Sequence, residues 1–283
     1  MRLAALVLAL LIPQGAPPDD VAFERDVVYG KGGGEELKLN LARPKTQNGP
    51  TPCVVVIHGG GWAAGNKNGH NQQTWDLAKR GYVSATVGYR FAPKSLFPAQ
   101  VEDVKCAVRF LRANAEKYGI DPGRIGAVGF SAGAHLSMML GTMGKEDGLE
   151  GEGGCPEQSS QVNAVVAFFG PTDFKLEYPE ASRKIVQTFL GGTKEEKADV
   201  YAKASPITYV SKGDAPMLLI QGTKDPLVPH EQAVVMADAL TKAGVAGRVE
   251  LLLGAGHGWG GAELLRTADI SWAWFDQHLK PRK

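Results

Sequence analysis

Short runs rich in valine, isoleucine and leucine alternate with amphipathic segments along most of this sequence. The apolar runs have the length of buried strands, and they are CVVVIH, YVSATVGY, RIGAVGF, VNAVVAFFG, MLLIQG and RVELLL. Apolar residues at helical spacing predict helices over 71–79, 98–118, 132–143, 231–242 and 262–279. This alternation predicts an α/β fold, in which a mainly parallel sheet carries helices on both faces.

Three segments depart from the alternation. The runs DVVYG and LKLNLA flank the turn KGGG and predict an N-terminal hairpin. Residues 144–161 are rich in glycine, glutamate and serine, which is typical of a long surface loop. Residues 171–206 form a charged, partly helical insertion after a strand, where it can cover the carboxyl edge of the sheet. We therefore predict a single α/β domain over 19–283 with a small cap-like insertion at 171–206.

The N-terminal segment has the composition of an export signal. One arginine precedes an apolar run from Leu3 to Ile12, and a small-residue, proline-rich stretch follows. This pattern predicts a signal peptide over 1–18 and hence a secreted or periplasmic protein, the alternative being a buried N-terminal helix. A bilayer-spanning helix needs about twenty apolar residues. The apolar run is too short for that and no later run is longer, so stable membrane insertion is not expected.

Charge and cysteine content narrow the classes of partner. Lysine and arginine together number 31 against 30 aspartates and glutamates, for a formal net charge of +1. The charges are scattered and form no basic stripe of the kind that binds nucleic acid, which favours small or neutral ligands. The three cysteines, Cys53, Cys106 and Cys155, show no metal-ligand spacing. We expect neither a metal nor a cofactor, and nothing in the sequence indicates the oligomeric state.

A G-x-S-x-G motif, GFSAG, lies between a predicted strand and a predicted helix. In that context the motif places its serine on a sharp, exposed turn, which here predicts Ser131 as a nucleophile. The amide of Ala132 would then point from the helix N-terminus towards developing negative charge. The alternative is a purely structural turn of small residues.

A second glycine-rich motif, HGGGW, follows the strand CVVVI. Consecutive glycines offer backbone N–H groups with almost no side-chain bulk, which suits an oxyanion hole. We predict the amides of Gly60 and Gly61 as oxyanion donors, and His58 as a residue that shapes the loop. The alternative is a flexible glycine turn, which leaves the flanking histidine and tryptophan unexplained.

A serine nucleophile in this fold needs an acid and then a histidine later in the chain. Asp225 lies in a loop after the strand MLLIQG, and His257 lies in a glycine-rich loop after the strand RVELLL. Asp214 competes with Asp225, but it precedes its strand and would lie at the opposite sheet edge. The predicted triad is therefore Ser131, His257 and Asp225, with the histidine as base and the aspartate orienting it.

These motifs together resemble an α/β-hydrolase esterase of the hormone-sensitive-lipase-like group. The resemblance rests on HGGGW, GYRFAPKSLFPAQVEDV, GFSAGAHL, DPLVP and GAGHGW, and it is strongest to the bacterial subgroup labelled BD-FAE, the bifunctional feruloyl and acetyl-xylan esterases. It implies the same triad and oxyanion residues that the motifs indicate. The chain departs from many members of the wider group at Phe130, where they have an acidic residue, and at Ala134, where they have glycine.

The resemblance implies a serine carboxylesterase that acts on short-chain acyl esters, with acetyl or feruloyl esters of plant polysaccharide as candidate substrates. We predict substrate contacts at the aromatic residues Trp62, Phe130 and Trp259 beside the motifs. One alternative is a serine exopeptidase of the same fold, although such enzymes usually carry an extra domain. A noncatalytic binding protein is the other alternative, but the serine, aspartate and histidine are all present.

Overall fold

The computed structural model describes residues 15–280, which form an eight-stranded sheet with flanking helices. The strands are β1 (Val21–Gly32), β2 (Glu35–Pro44), β3 (Thr51–Ile57), β4 (Val83–Val87), β5 (Ile120–Phe130), β6 (Ala164–Phe168), β7 (Met217–Gly222) and β8 (Gly247–Leu252). Their order across the sheet is β1-β2-β4-β3-β5-β6-β7-β8. β2 pairs antiparallel with β1 on one side and with β4 on the other. From β4 to β8 across the sheet, all neighbouring strands pair parallel, which confirms the predicted hairpin and the mainly parallel sheet.

The predicted helices are present with small changes at their ends. With the two helices of the insertion, α5 and α6, included, the helices are α1 (Asn71–Lys79), α2 (Ala99–Ala113), α3 (Ala115–Tyr118), α4 (Ala132–Thr142), α5 (Glu180–Leu190), α6 (Ala198–Ala204), α7 (Glu231–Lys242) and α8 (Gly261–Leu279). The helix predicted over 98–118 is divided into α2 and α3 at Asn114, whose side-chain amide donates to the Phe110 carbonyl and satisfies an acceptor at the helix end.

The central strands are apolar on both sides because both faces of the sheet are covered. In β3, Val54 and Val56 face the core that contains Phe275 of α8, whereas Val55 and Ile57 face the core beneath α2 and α4. All four strand residues are at most 1% exposed. Burial on both faces explains why the sequence shows continuous apolar runs rather than alternating ones.

The insertion between β6 and β7 carries α5 and α6 and covers the carboxyl ends of the central strands. Its start is fixed by Gln232 of α7, whose side-chain oxygen accepts hydrogen bonds from the amides of Thr172 and Asp173. Ile185 of α5 packs against Gly61, since a Cβ built at that glycine would lie 2.7 Å from the Ile185 Cγ2. The insertion therefore contacts the glycine loop that follows β3.

The loop over 144–161 is attached to the body of the protein by buried charges. Glu150 pairs with Lys105 at 2.8 Å and also with Arg109. The side chain of Lys105 is 0% exposed and that of Arg109 is 2% exposed. Arg90 pairs with the 1%-exposed Asp103 at 2.7 Å, which braces the turn after β4 against α2. Removing one partner of such a buried pair would leave an uncompensated charge, so it should destabilise the fold.

The predicted signal peptide over 1–18 falls largely outside the described residues, of which 15–18 form neither helix nor strand. Within residues 15–280, every helix is too short or too polar to cross a membrane.

Candidate active site

Ser131 lies on the sharp turn between β5 and α4. Its backbone has φ of 53°, a positive value that residues other than glycine rarely adopt. The Ser131 amide donates to the Phe168 carbonyl at 2.9 Å, and its carbonyl accepts from the His135 amide at 3.1 Å. These bonds hold a strained residue in place, as is common where a side chain must project from a scaffold.

Close backbone approach explains both glycines that flank the serine in GFSAG. A Cβ at Gly129 would lie 2.1 Å from the Gly133 carbonyl oxygen, and a Cβ at Gly133 would lie 2.1 Å from the Ile57 carbonyl oxygen. No real side chain tolerates such contacts. The turn is therefore possible only with glycine at both positions.

Ser131, His257 and Asp225 form one continuous chain of hydrogen bonds. The Nε2 of His257 lies 2.9 Å from the Ser131 Oγ, and its Nδ1 lies 2.7 Å from the Asp225 Oδ2. The Asp225 side chain is 0% exposed and that of His257 is 18% exposed. An ionised carboxylate can only accept, so Nδ1 carries the proton and Nε2 accepts from the serine hydroxyl.

Asp225 is held by donors from its own loop and from β7. Its Oδ1 accepts from the amides of Leu227 and Val228 at 2.8 and 2.9 Å. Its Oδ2 also accepts from the Gln221 side-chain amide at 2.9 Å, and Gln221 is 1% exposed. Sequence reasoning missed Gln221, for which the only signal is a polar residue near the end of an apolar strand.

The loops that carry Asp225 and His257 lie directly against each other. Gly222 ends β7, and a Cβ there would lie 2.4 Å from the Gly256 carbonyl oxygen. The Lys224 amide donates to the Ala255 carbonyl at 2.9 Å. This contact brings the histidine loop over the end of β7, within reach of the aspartate and the serine.

Asp214, His58 and His135 have other partners in the structure. Asp214 precedes β7, at the opposite edge of the sheet, and accepts from the amide and hydroxyl of Ser211 at 2.8 and 2.9 Å. His58 stacks on Tyr89 with ring centres 4.4 Å apart, and His135 is 0% exposed. Burial lowers the pKa of each of these two histidines to about 4, so both are neutral near pH 7.

The glycine loop after β3 passes beside the serine. A Cβ at Gly59 would lie 2.8 Å from the Phe130 carbonyl oxygen and 3.3 Å from the Ser131 Cβ. Gly60 and Gly61 follow with φ of 117° and 59°, and the Gly60 carbonyl accepts from two later amides of its own turn. Ala132 is the first residue of α4, where the N–H has no partner within the helix.

Trp62 was expected to contact substrate, but it is only 3% exposed. Its ring stacks on Phe189 of α5 with centres 4.2 Å apart, and its indole nitrogen donates to His135 at 3.2 Å. The tryptophan packs beneath the insertion, so its position does not support a direct contact with substrate.

Phe130 and Trp259, the other two predicted contacts, line a cleft of about 200 Å³ between α1, α8 and the ends of β5 and β6. Phe169 also lines the cleft and touches the imidazole of His257, with ring centres 4.7 Å apart. Its position shows that the cleft begins next to the histidine.

The chain is similar to known esterases in both sequence and structure. The BD-FAE family model matches residues 39–240. Esterase LipC of Mycobacterium tuberculosis is 32% identical, with a match covering 88% of this chain and 63% of that protein. The probable carboxylic ester hydrolase LipM of the same organism is 30% identical over 78% of this chain and 52% of its own. This chain thus spans between one half and two thirds of these curated relatives.

Solved structures agree along nearly the whole chain. A truncated carbohydrate esterase from gut microbiota is 28% identical with a TM-score of 0.79, over 92% of this chain and 99% of that one. Esterase 2 of Thermogutta terrifontis, in a form phosphonylated by sarin, is 26% identical with a TM-score of 0.81, over 95% and 100% of the two chains. The same esterase is also known with butyrate bound, with a TM-score of 0.78, over 94% of this chain and 97% of that one. With its α/β-hydrolase sheet and a family match over most of its length, the chain belongs to the BD-FAE family.

Proposed function

We propose that this protein is a carboxylic ester hydrolase that uses Ser131, His257 and Asp225 as a catalytic triad. The observation that carries the proposal is the hydrogen-bond chain from Asp225 through His257 to Ser131, with distances of 2.7 and 2.9 Å. The esterases among its relatives support the same reaction class.

In the acylation half, the Ser131 Oγ attacks the carbonyl carbon of the ester while the His257 Nε2 takes the hydroxyl proton. The carbonyl oxygen becomes an oxyanion, and we assign the amides of Gly60, Gly61 and Ala132 as its donors. Asp225 stabilises the imidazolium that forms. The intermediate collapses when His257 gives its proton to the leaving alcohol oxygen, which leaves an acyl group on Ser131.

The deacylation half repeats these steps with water in place of the alcohol. His257 takes a proton from water as the water oxygen attacks the acyl carbon, and the oxyanion forms against the same amides. The Ser131–acyl bond then breaks, and His257 returns the proton to the Ser131 oxygen. The products are the carboxylic acid and a regenerated enzyme.

For the substrate, we propose esters with short acyl groups. The insertion that covers the site is small and carries many charges, and Ile185 lies directly against Gly61. Little room therefore remains above the proposed oxyanion loop for a long chain. Butyrate binding by the Thermogutta esterase supports a small acyl group, and the gut carbohydrate esterase supports a sugar-bound alcohol.

The experiment that tests this function has two parts. Purified protein is assayed on p-nitrophenyl esters, acetylated and feruloylated xylan, and an aminoacyl anilide. It is also treated with an alkyl phosphonate inhibitor, and the adduct is mapped by mass spectrometry. The proposal expects ester turnover and a single adduct on Ser131, whereas turnover of the anilide without esters would indicate a peptidase.

We also propose that residues 1–18 direct export, on the basis of their sequence alone. Expression of the full chain in a Gram-negative host, followed by intact-mass measurement of the periplasmic fraction, tests this. A periplasmic product lacking about eighteen residues is the expected result, and a full-length cytoplasmic product would contradict it.

A further inference from the structure

His135 is a buried histidine that the proposed reaction does not use. It lies one turn into α4, four residues after Ser131, and it is 0% exposed. A fully buried imidazole destabilises the fold unless both of its ring nitrogens have hydrogen-bond partners, because the nitrogens lose their contact with water. Both partners are present, and each belongs to a different part of the site.

The protonation state of His135 follows from its partners. The indole nitrogen of Trp62 can only donate, so the Nδ1 of His135, 3.2 Å away, is the acceptor. The Nε2 therefore carries the proton and donates to the Ala204 carbonyl at 2.7 Å. Burial lowers the pKa of His135 to about 4, which agrees with a neutral ring of this single tautomer.

The Trp62 contact reaches the proposed oxyanion loop. Trp62 directly follows Gly60 and Gly61 and has φ of 57°, a strained value for a tryptophan. Its ring is clamped between Phe189 and His135, and its carbonyl accepts from the Ala92 amide at 2.9 Å. The position of its indole therefore helps to fix the backbone of the two glycines before it.

The other contact reaches the insertion. Ala204 is the last residue of α6, and its carbonyl is one of those that a helix end leaves without a partner. His135 itself belongs to α4, whose first amide, that of Ala132, is the third proposed oxyanion donor. One imidazole thus connects the nucleophile helix, the glycine loop and the insertion.

We propose that His135 is a positioning residue that sets the Gly60 and Gly61 amides relative to Ser131 through its hydrogen bond to Trp62. This inference rests on the proposed esterase function. Oxyanion donors act mainly in the transition state, so their displacement lowers kcat and leaves KM nearly unchanged.

Two substitutions separate the two hydrogen bonds of His135. In His135→Asn, the side-chain oxygen stands near the Nδ1 position and can still accept from Trp62. In His135→Gln, the side-chain amide stands near the Nε2 position and keeps the bond to Ala204 instead. Complete loss of one oxyanion donor lowers kcat by about 100- to 1000-fold. His135→Gln would displace the Gly60 and Gly61 amides without removing them, so kcat should fall by about 10- to 100-fold. His135→Asn should remain within about threefold of the wild type.

A pair of matched substrates reports on the oxyanion hole itself. In a thionoester the carbonyl oxygen is replaced by sulfur, which is a weak hydrogen-bond acceptor. The wild type should therefore prefer the oxygen ester, and His135→Gln should lose much of that preference in kcat/KM. A residue that only stabilised the fold would lower both rates alike and leave the ratio unchanged.

Trp62→Phe provides an independent variant if a substitution at 135 prevents folding. It removes the indole N–H but keeps an aromatic ring, and it should reproduce the fall in kcat and in the oxygen-to-sulfur ratio. In the Trp62→Phe background, His135→Gln should have little further effect, because the shared contact is already lost. His230→Gln, at a half-exposed histidine that directly precedes α7, serves as the control with unchanged kinetics.

The outcomes are distinguishable. Equal kinetics and equal substrate ratios in His135→Asn, His135→Gln and the wild type would overturn the inference while leaving the esterase function intact. A rise in KM at constant kcat, or an unaltered ratio in Trp62→Phe, would overturn it as well. A folded wild type without ester turnover would overturn the proposed function and this inference together.

Discussion

The carboxylate of Asp225 accepts four hydrogen bonds, and only one of them comes from His257. The others come from the amides of Leu227 and Val228 and from the Gln221 side chain. These three donors hold the carboxylate in one orientation beside His257. A fixed, ionised carboxylate keeps the imidazole in the tautomer that can accept the serine proton.

Asp225→Asn should lower kcat by about 10⁴-fold, because an amide at this position favours the wrong tautomer of His257. Asp214→Asn should leave the kinetics within about twofold of the wild type, since the side chain of Asp214 bonds to Ser211 near the opposite sheet edge. Steady-state assays of the two purified variants check this. A greater loss from Asp214→Asn than from Asp225→Asn would reverse their roles.

The pH dependence of the reaction should reflect one histidine. The proton acceptor must be neutral, so kcat/KM on an uncharged ester should rise with pH through a single ionisation. His58 and His135 should not add to this step, because burial lowers the pKa of each to about 4. A profile that stays flat down to pH 5 would exclude a histidine base.

Among single residues, the sequence predicted those whose chemistry depends on position relative to a strand. Ser131, Asp225 and His257 each follow a recognisable apolar strand, and the structure joins them by hydrogen bonds. Gln221 and His135 could not be predicted because their partners are set by packing. Trp62 was expected to face the substrate, but it is buried because α5 packs over it.

At the level of elements, the insertion over the sheet edge determines how much space remains at the glycine loop. Helix α5 places Ile185 against Gly61 and Phe189 against Trp62. These contacts join residues far apart in the sequence. Hydrophobic periodicity predicts a helix but does not show which residues of the insertion face the glycine loop. The close contacts of Ile185 and Phe189 with that loop were therefore not predictable.

Acetyl to butyryl esters should be preferred over decanoyl or longer ones, without activation at a lipid surface. Each added methylene gains about 0.8 kcal/mol while it fits, and costs more once it meets the insertion. Ile185→Ala should shift the optimum to longer chains, because it removes the side chain that covers Gly61. A series of p-nitrophenyl esters measures this, and a kcat/KM that climbs steadily to C12 in the wild type would contradict it.

At the level of the whole molecule, the sequence predicted the fold class more completely than the strand order. Apolar runs and helical periods follow from burial on both faces of the sheet. The order β1-β2-β4-β3-β5 depends instead on crossovers between distant strands, which local patterns do not encode. The buried ion pairs of Glu150 with Lys105 and Arg109 were likewise hidden in a stretch that had the composition of a surface loop.

Two buried histidines should make the fold sensitive to acid. In the folded state burial lowers the pKa of His58 and His135 to about 4, whereas histidine in an unfolded chain titrates near about 6.5. The unfolded chain thus binds more protons below that value, so stability should fall as the pH drops from about 6.5 to 4. The loss should be on the order of 3 kcal/mol for each histidine.

Urea unfolding at pH 7 and pH 4.5 measures this acid sensitivity. In His135→Asn the drop in unfolding free energy between the two pH values should be smaller than in the wild type by about the share of one histidine. An equal drop in the two proteins would show that His135 does not contribute.

The central claim is that Ser131 is the nucleophile of an ester hydrolase, and Ser131→Ala tests it most directly. The variant should keep the wild-type circular dichroism spectrum and melting temperature, because the change removes one hydroxyl from a turn held by backbone bonds. Its kcat on p-nitrophenyl acetate should fall by about 10⁴-fold or more. A folded Ser131→Ala protein that retains more than about a tenth of the wild-type kcat would contradict the account.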